Sequence, residues 1–188
     1  MLKLIHAYDM DFSNVQEYYA AFKDKSRDLN SYAIWTVFQG EEKYFEYIKT
    51  YEKNMYYLVN EDEPNYIIGY GTIEDKGILN YHKEYMNVGN IGYGVRPNER
   101  NKGYGTYLLK LLLLECKKLG MHEVCISCLK ENAASKHVIL NNNGKLEKEF
   151  YDDNSGKHGL KYWVVLHPSI PKMIRRYVRQ EKYRYMKK

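Results

Sequence analysis

The 188-residue chain is expected to fold as an α/β (α+β) protein in which helices cover a mixed sheet. Three observations carry that expectation. Strand-period and helix-period segments follow one another in the order β-α-α-β-β-β-α-β-α-β-β. Polar turn clusters separate adjoining strands, through Glu61-Asp62-Glu63-Pro64-Asn65 and Asp152-Asp153-Asn154-Ser155-Gly156. Hydrophobic residues at 44% and charged residues at 28% give the balance of a globular chain, and 4 Pro with 13 Gly exclude a collagen-like or low-complexity one.

The elements are read in order. Leu2 to Tyr8 alternates as a strand. Ser13-Asn14-Val15-Gln16 matches a capping box, which places a helix from there to about Asp28. Gly40 to Glu52 carries Tyr44, Phe45, Ile48 and Tyr51 at helical spacing. Met55 to Val59 and Tyr66 to Ile73 are strands, and Asp75 to Gly89 is a polar loop. Asn90 to Arg96 is a strand stopped by Pro97. A helix runs from about Gly103 to Leu119 with Gly120 as its cap; apolar almost all round, it is expected to be well buried. A strand over 123–129 and a helix from Asn132 to about Asn141 follow, and the strands Lys145 to Tyr151 and Leu160 to Leu166 close the sheet.

Residues 1–168 are expected to form one domain, followed by a basic tail over 169–188. From Ile170 to Lys188 there are eight basic residues against Glu181 alone, a net charge of +7, while the remainder carries −2. The basic balance therefore belongs to the tail and argues against a chain built throughout for nucleic acid. In the tail, Ile170, Met173, Ile174, Tyr177 and Val178 share one helical face. That face is expected to pack on the body or on a second copy as a homodimer, with nucleic acid or an acidic membrane as the alternative. The longest apolar run, Tyr107 to Leu114, is interrupted by Lys110, far short of the ~20 residues of a membrane span. The N-terminus has no secretory pattern, and three cysteines make no disulfide framework, so a reducing, cytoplasmic setting is expected. Cys125 and Cys128 form a CxxC on a strand, where residues three apart point to opposite faces, so they are read as packing cysteines.

The chemistry concentrates in Ile91 to Thr106: a strand, a short basic loop with two glycines, and the start of the long helix. A helix N-terminus offers unpaired N–H groups and a partial positive charge. Gly103 and Gly105 let the backbone approach a ligand, and Arg100 and Lys102 add cationic charge. Together they suit a phosphate or diphosphate. Tyr104 breaks the GxxxxGK[ST] pattern, and the third glycine of GxGxxG is missing. Both common nucleotide motifs are thus excluded.

Arg100-Asn101-Lys102-Gly103-Tyr104-Gly105 resembles the [RQ]xxGx[GA] signature of the GNAT superfamily of acyl-CoA-dependent N-acetyltransferases. Gly92 to Pro97 is similar to that family's central strand, and Asn132-Ala133-Ala134-Ser135 with Asn143-Gly144-Lys145-Leu146 is similar to its second motif. The resemblance implies a mixed, mostly antiparallel central sheet with flanking helices, and acetyl-CoA as co-substrate. It implies that amides of Arg100, Asn101, Lys102, Gly103, Tyr104, Gly105 and Thr106 hold the diphosphate. It implies backbone bonds from Tyr93 and Val95 to the pantetheine arm and acyl carbonyl, in a gap where this strand splays from 123–129, with Asn132 bonding the arm and Ser135 nearby. Asn132 also reads as an ordinary N-cap, and the two roles are compatible.

The implied reaction is attack by an amine acceptor on the acetyl thioester; it needs a base or water chain and a polarised carbonyl, and no metal. Many relatives carry a Tyr general acid about seven residues beyond the Asn; here that position is Ile139. His82, Glu84 and Asn90 are candidate bases, each more readily an ordinary polar residue; Glu74, at the end of a strand, is no better, and no catalytic residue is assigned. The acceptor groove is expected among the first two helices, the 75–89 loop and the 152–159 turn, near Tyr18, Tyr19, Tyr32, Tyr81 and Tyr85. The runner-up is a non-catalytic acyl-CoA-binding module of the same fold.

Overall fold

The structure, a computed structural model, describes residues 1–22, 36–74, 89–152 and 156–166. The chain divides into two compact units, Met1–Glu74 with Ile91–Leu114, and Asp75–Asn90 with Glu115–Lys188.

The first unit is built on four antiparallel strands in the order β1-β2-β3-β4: β1 Leu2–His6, β2 Met55–Asn60, β3 Glu63–Ile73 and β4 Ile91–Val95. Strand alternation sends Met55, Tyr57 and Tyr70 to one face, where they meet the helices α1 (Phe12–Ala20) and α2 (Glu41–Tyr51). Val15, Tyr18, Tyr19 and Phe22, at helical spacing, form the inner side of α1, and Tyr44 and Ile48 that of α2. The phenols are not simply greasy: the Tyr44 and Tyr57 hydroxyls share a hydrogen bond of 2.6 Å inside this core.

The opposite face takes the helix α3 (Tyr104–Lys118). Gly69 and Gly71 of β3 leave room there, since a Cβ on Gly69 would lie 3.2 Å from Leu108 Cδ2 and one on Gly71 would strike the Leu112 side chain. A Leu108, Leu109, Leu112, Leu113 and Cys116 stripe of α3 is buried, whereas Leu114 and Leu119 are exposed. The all-round burial expected for this helix is therefore a buried stripe with a wet back.

The capping box at Ser13 does not form. The helix starts at Phe12, with Asp11 accepting from the N–H groups of Asn14 and Val15 at 3.1 and 3.3 Å. Burial of Met10, Val15, Tyr18 and Tyr19 sets the helix register, and Ser13 and Gln16 are left exposed. The helix ends at Ala20 rather than near Asp28, and 23–35 lie outside the described residues. The first strand stops at His6 because its Nδ1 accepts from the Tyr8 N–H, capping a 3-10 turn over Ala7–Asp9.

The second unit holds an antiparallel sheet in the order β5-β7-β6, from β5 Glu123–Leu129, β6 Lys145–Asp152 and β7 Lys157–Val165, with the helix α4 (Ala133–Asn141). Cys125 lies opposite Trp163 and Cys128 opposite Leu160, so the CxxC sulfurs point to different faces, as the strand period requires. Asn90, a candidate base, is instead a clamp: its Oδ1 accepts from Cys125 N–H at 2.9 Å and its own N–H donates to Cys125 O at 2.6 Å, with the residue buried. Gly89 fits so closely that a Cβ would sit 2.6 Å from Cys125 O and 2.7 Å from Ile126 Cα. Among the described residues no helix is long and apolar enough to cross a membrane. The 169–188 tail lies outside them.

Backbone atoms cannot yield as a flexible side chain can. Gly89→Ala is expected to cost about 1–3 kcal/mol of stability by overpacking, read as a lowered urea midpoint; an unchanged midpoint would mean that this segment does not press on β5.

Candidate functional site

β4 is followed at once by a residue whose importance is invisible in sequence. Arg96, only 3% exposed, donates from its backbone N–H to Ile68 O at 2.8 Å and from Nε to Ile67 O at 2.8 Å. Its terminal nitrogens form a bidentate pair with Glu17 of α1, and its guanidinium lies 4.3 Å from the Tyr66 ring centroid. Chiefly through the hydrogen bond from Arg96, the Glu17 carboxyl titrates below its ordinary value. One side chain thus fixes the end of β4 to β3 and α1.

From that anchor the chain passes through a 3-10 turn, Pro97–Glu99, into the signature loop. Asn101 and Gly103 both adopt left-handed conformations, φ 63° and 83°. Gly103 meets that demand without strain, and no heavy atom stands within 4 Å of where its Cβ would be. α3 starts at the next residue, and the bond from Tyr107 N–H to Gly103 O, 3.2 Å, opens its i to i−4 ladder. Tyr104 and Gly105 precede that first i to i−4 bond, at the end of the helix where N–H groups point outward along the axis. Beside this open surface the charged side chains are held within the loop. Arg100 Nε donates to Val95 O at 3.2 Å, and Lys102 Nζ pairs with Glu99 at 3.0 Å. The second Glu99 oxygen accepts from the Tyr66 hydroxyl at 3.0 Å. The hydrogen bond from Lys102 lowers the Glu99 carboxyl, and Glu99 in turn raises the Lys102 ammonium.

Tyr93 and Val95 lie opposite Gly71 and Gly69, so their side chains point to the α3 side of the sheet. Gly92 and Gly94 occupy the α1/α2 side and leave β4 without a side chain there. Arg100 through Thr106 are brought together in one loop and first helical turn of the first unit.

Asn132 and Ser135 stand in the second unit. Asn132 is the N-cap of α4, its Oδ1 accepting from Ser135 N–H at 3.0 Å. Ser135 also bonds the Cys128 thiol, which burial raises and that bond partly restores. Ile139 is fully buried, and Gly144, at the end of this helix, is pressed against it, with a Cβ that would lie 2.8 Å from Ile139 O. The position where many relatives place a phenol is here a core position.

Tyr18 and Tyr19 do not line a groove. They are buried on the inner side of α1, where burial pushes both hydroxyls well above their ordinary range. Tyr32, Tyr81, His82, Glu84 and Tyr85 lie outside the described residues. Sequence reasoning passed over Arg96 with Glu17, and over Glu52 at the end of α2. The only local hint of the first is an Arg closing an apolar strand before a proline.

Residues 6–144 match the model of the acetyltransferase (GNAT) domain family. The chain belongs to that family. Solved structures with the same fold include a GNAT-family acetyltransferase from Bacillus anthracis, 19% identical with TM-score 0.60, covering 88% of this chain and 95% of that one. A ribosomal-protein-S5-alanine acetyltransferase from Vibrio fischeri is 15% identical with TM-score 0.62, at 90% and 94% coverage. A putative acetyltransferase from Salmonella typhimurium, solved with its cofactor acetyl-CoA, is 12% identical with TM-score 0.55, at 90% and 96% coverage. No curated protein matches this chain.

Replacing Arg96 by Lys keeps the charge but loses the planar fork. It is expected to cost about 1.5–3 kcal/mol in urea unfolding, with less than additive loss when combined with Glu17→Gln. The Glu17 contribution is present above the ordinary Glu value of 4.5 and is lost as pH falls through the lowered folded value. Additive losses across a double-mutant cycle would dismiss the coupling.

Proposed function

We propose that the protein transfers an acetyl group from acetyl-CoA to a primary amine of a small molecule or protein by direct attack. The observation that carries this reading is the left-handed, uncovered Gly103 at the mouth of α3, joined to β4 through the signature loop in a chain of this family. The loop fits a diphosphate, since a Cβ at Gly103 would project into open space that the ligand needs. In this reading the amides from Arg100 to Thr106 hold the diphosphate, while Arg100 and Lys102 contribute positive field from their tethered positions. The backbone of Tyr93 and Val95 receives the pantetheine arm, and Asn132 and Ser135 take the arm-binding roles that the family resemblance implies for them. Asn132 keeps its amide NH2 for that purpose while its oxygen caps the helix.

The co-substrate supplies the activated acyl group. The chain's own task is to orient it, to offer a backbone N–H to the carbonyl oxygen and to bring up an amine that attacks once it has lost its proton. With Ile139 buried, no side-chain acid stands at the position used by many relatives, and water protonates the departing sulfur. The same buried Ile139 favours the second reading, an acyl-CoA-binding module without turnover. A reducing, cytoplasmic setting suits the three free cysteines.

An assay of free thiol released from acetyl-CoA across a panel of amines separates the two readings. The enzyme gives amine-dependent release; a binding module gives calorimetric binding without it. Gly103→Val is expected to lose about 1–2 kcal/mol of stability from the left-handed backbone while weakening acetyl-CoA binding at least about tenfold by closing the approach to the amides. Undiminished binding in that variant would remove the loop from the site.

A further inference from the structure

Glu52 is a carboxylate that the reading above leaves without a task. It ends α2, where its N–H donates to Ile48 O at 3.1 Å and its carbonyl accepts from Met55 N–H at 3.0 Å. The side chain is half-buried, and its Oε1 accepts from the Tyr47 hydroxyl at 3.3 Å. Its carboxyl feels that of Glu74, at the end of β3.

The sheet register places these groups at a particular end of β4. Met55 pairs with Thr72, Ile73 with Ile91, and Thr72 with Gly92. The α2–β2 turn, the end of β3 and the beginning of β4 are thus side by side, with two strand spacings, about 10 Å, from β2 to β4. The signature loop is at the other end of β4. An arm anchored there by its diphosphate and followed back from Val95 runs about 13 Å along the strand before it is level with Ile91.

The sheet face is also defined. Thr72 and Gly92 share the side occupied by α1 and α2, and Gly92 is exposed. Glu74 follows the end of β3 two residues beyond Thr72, and its charge acts to raise the Glu52 carboxyl. A reactant approaching β4 over the exposed Gly92 meets main chain beside the Thr72 hydroxyl, which lies 3.0 Å from where a Cβ on Gly92 would be, with two carboxyl groups toward the margin.

We infer that Glu52, supported by Glu74, binds a cationic amine acceptor over the exposed Gly92 end of β4 and takes its proton. This rests on the acetyltransferase reading. An ammonium presents three N–H protons. One passes to the Glu52 carboxylate and on to water, leaving a lone pair that forms the C–N bond to the acetyl carbon as the C–S bond breaks. A second N–H proton passes to water as the amide forms, the departing sulfur gains one proton from water, and one N–H remains in the product, so that one proton is released overall. No oxidant or other reactant is required.

Burial, with a smaller contribution from Glu74, raises the Glu52 carboxyl above its ordinary 4.5, while the Tyr47 bond opposes the shift. A base so tuned works closer to neutral pH. Among the described residues, the other titratable groups adjoining this turn include Lys49 and Tyr51 on α2, Lys53 in the turn and His6 of β1, whose Nε2 bonds to Lys53 O at 2.7 Å.

The test uses the full chain with acetyl-CoA, 1,4-diaminobutane and benzylamine as acceptors, and carbon-13 carboxyl NMR of the unliganded protein. Acetyl-CoA binding is measured separately by calorimetry. Glu52→Gln is expected to lower kcat/KM for the better amine about 100-fold and abolish its acid limb, with acetyl-CoA affinity unchanged within about twofold. The Glu52 carboxyl signal, assigned by its loss in that variant, should titrate above 4.5 and move down in Glu74→Gln, carrying the acid limb with it. If wild-type protein turns over while Glu52→Gln keeps the same rate and pH profile, the inference is overturned and the acetyltransferase reading stands. If the wild type binds no acetyl-CoA, both fall.

Discussion

The guanidinium of Arg96 is the constraint on which the rest of the first unit depends. It is a charge removed from water, and such a charge persists only when its donors are satisfied. Here they are, by a main-chain carbonyl of β3 and a carboxylate of α1, with an aromatic ring against one face. Because Glu17 is itself 58% exposed, the pair is not a sealed ion pair and its electrostatic worth is reduced by solvent. Its value lies in direction. A bidentate fork accepts one relative orientation of strand and helix, so the point at which the chain leaves the sheet for the signature loop is fixed in place.

Glycine does the complementary work by absence. On β3 it lets a leucine helix lie close to one side of the sheet, and on β4 it leaves the strand with no side chain of its own on the other. A Tyr70 ring fills part of that space, 2.6 Å from where a Cβ on Gly94 would be. The same strand is thereby packed tightly from below and left approachable from above, an arrangement that a strand of ordinary side chains could not give.

These two devices explain what could be read in the chain beforehand. The element order, the loop and the cap at Gly120 are local matters, encoded by period and by residues that tolerate a left-handed backbone, and they appear where the sequence places them. Gly103 is legible because the backbone itself demands it. Arg96 and Glu17 are 79 residues apart, and nothing in either neighbourhood names the other. The start of α1 follows burial of Met10 and Val15 instead of the Ser13 pattern, a case of packing overruling a cap. Tyr18 and Tyr19 mislead for a similar reason: composition gives the ring but not the side of the helix that is turned inward. Ile139 was visible as a departure from the family pattern, but only burial gives its cause. Glu52 becomes notable only once folding half-buries its carboxyl at the end of α2.

The phenolic core of the first unit has an optical consequence. Tyr18, Tyr19 and Tyr57 are held un-ionised far into alkali, because a phenolate would be stranded without water around it. In the unfolded chain the same groups lose their protons near pH 10. Stability therefore drains away as the solution is made more basic than that, and the near-ultraviolet absorbance change of these rings comes in step with collapse of the fold. The protein carries its own spectroscopic reporter of alkaline denaturation, with no dye or label attached.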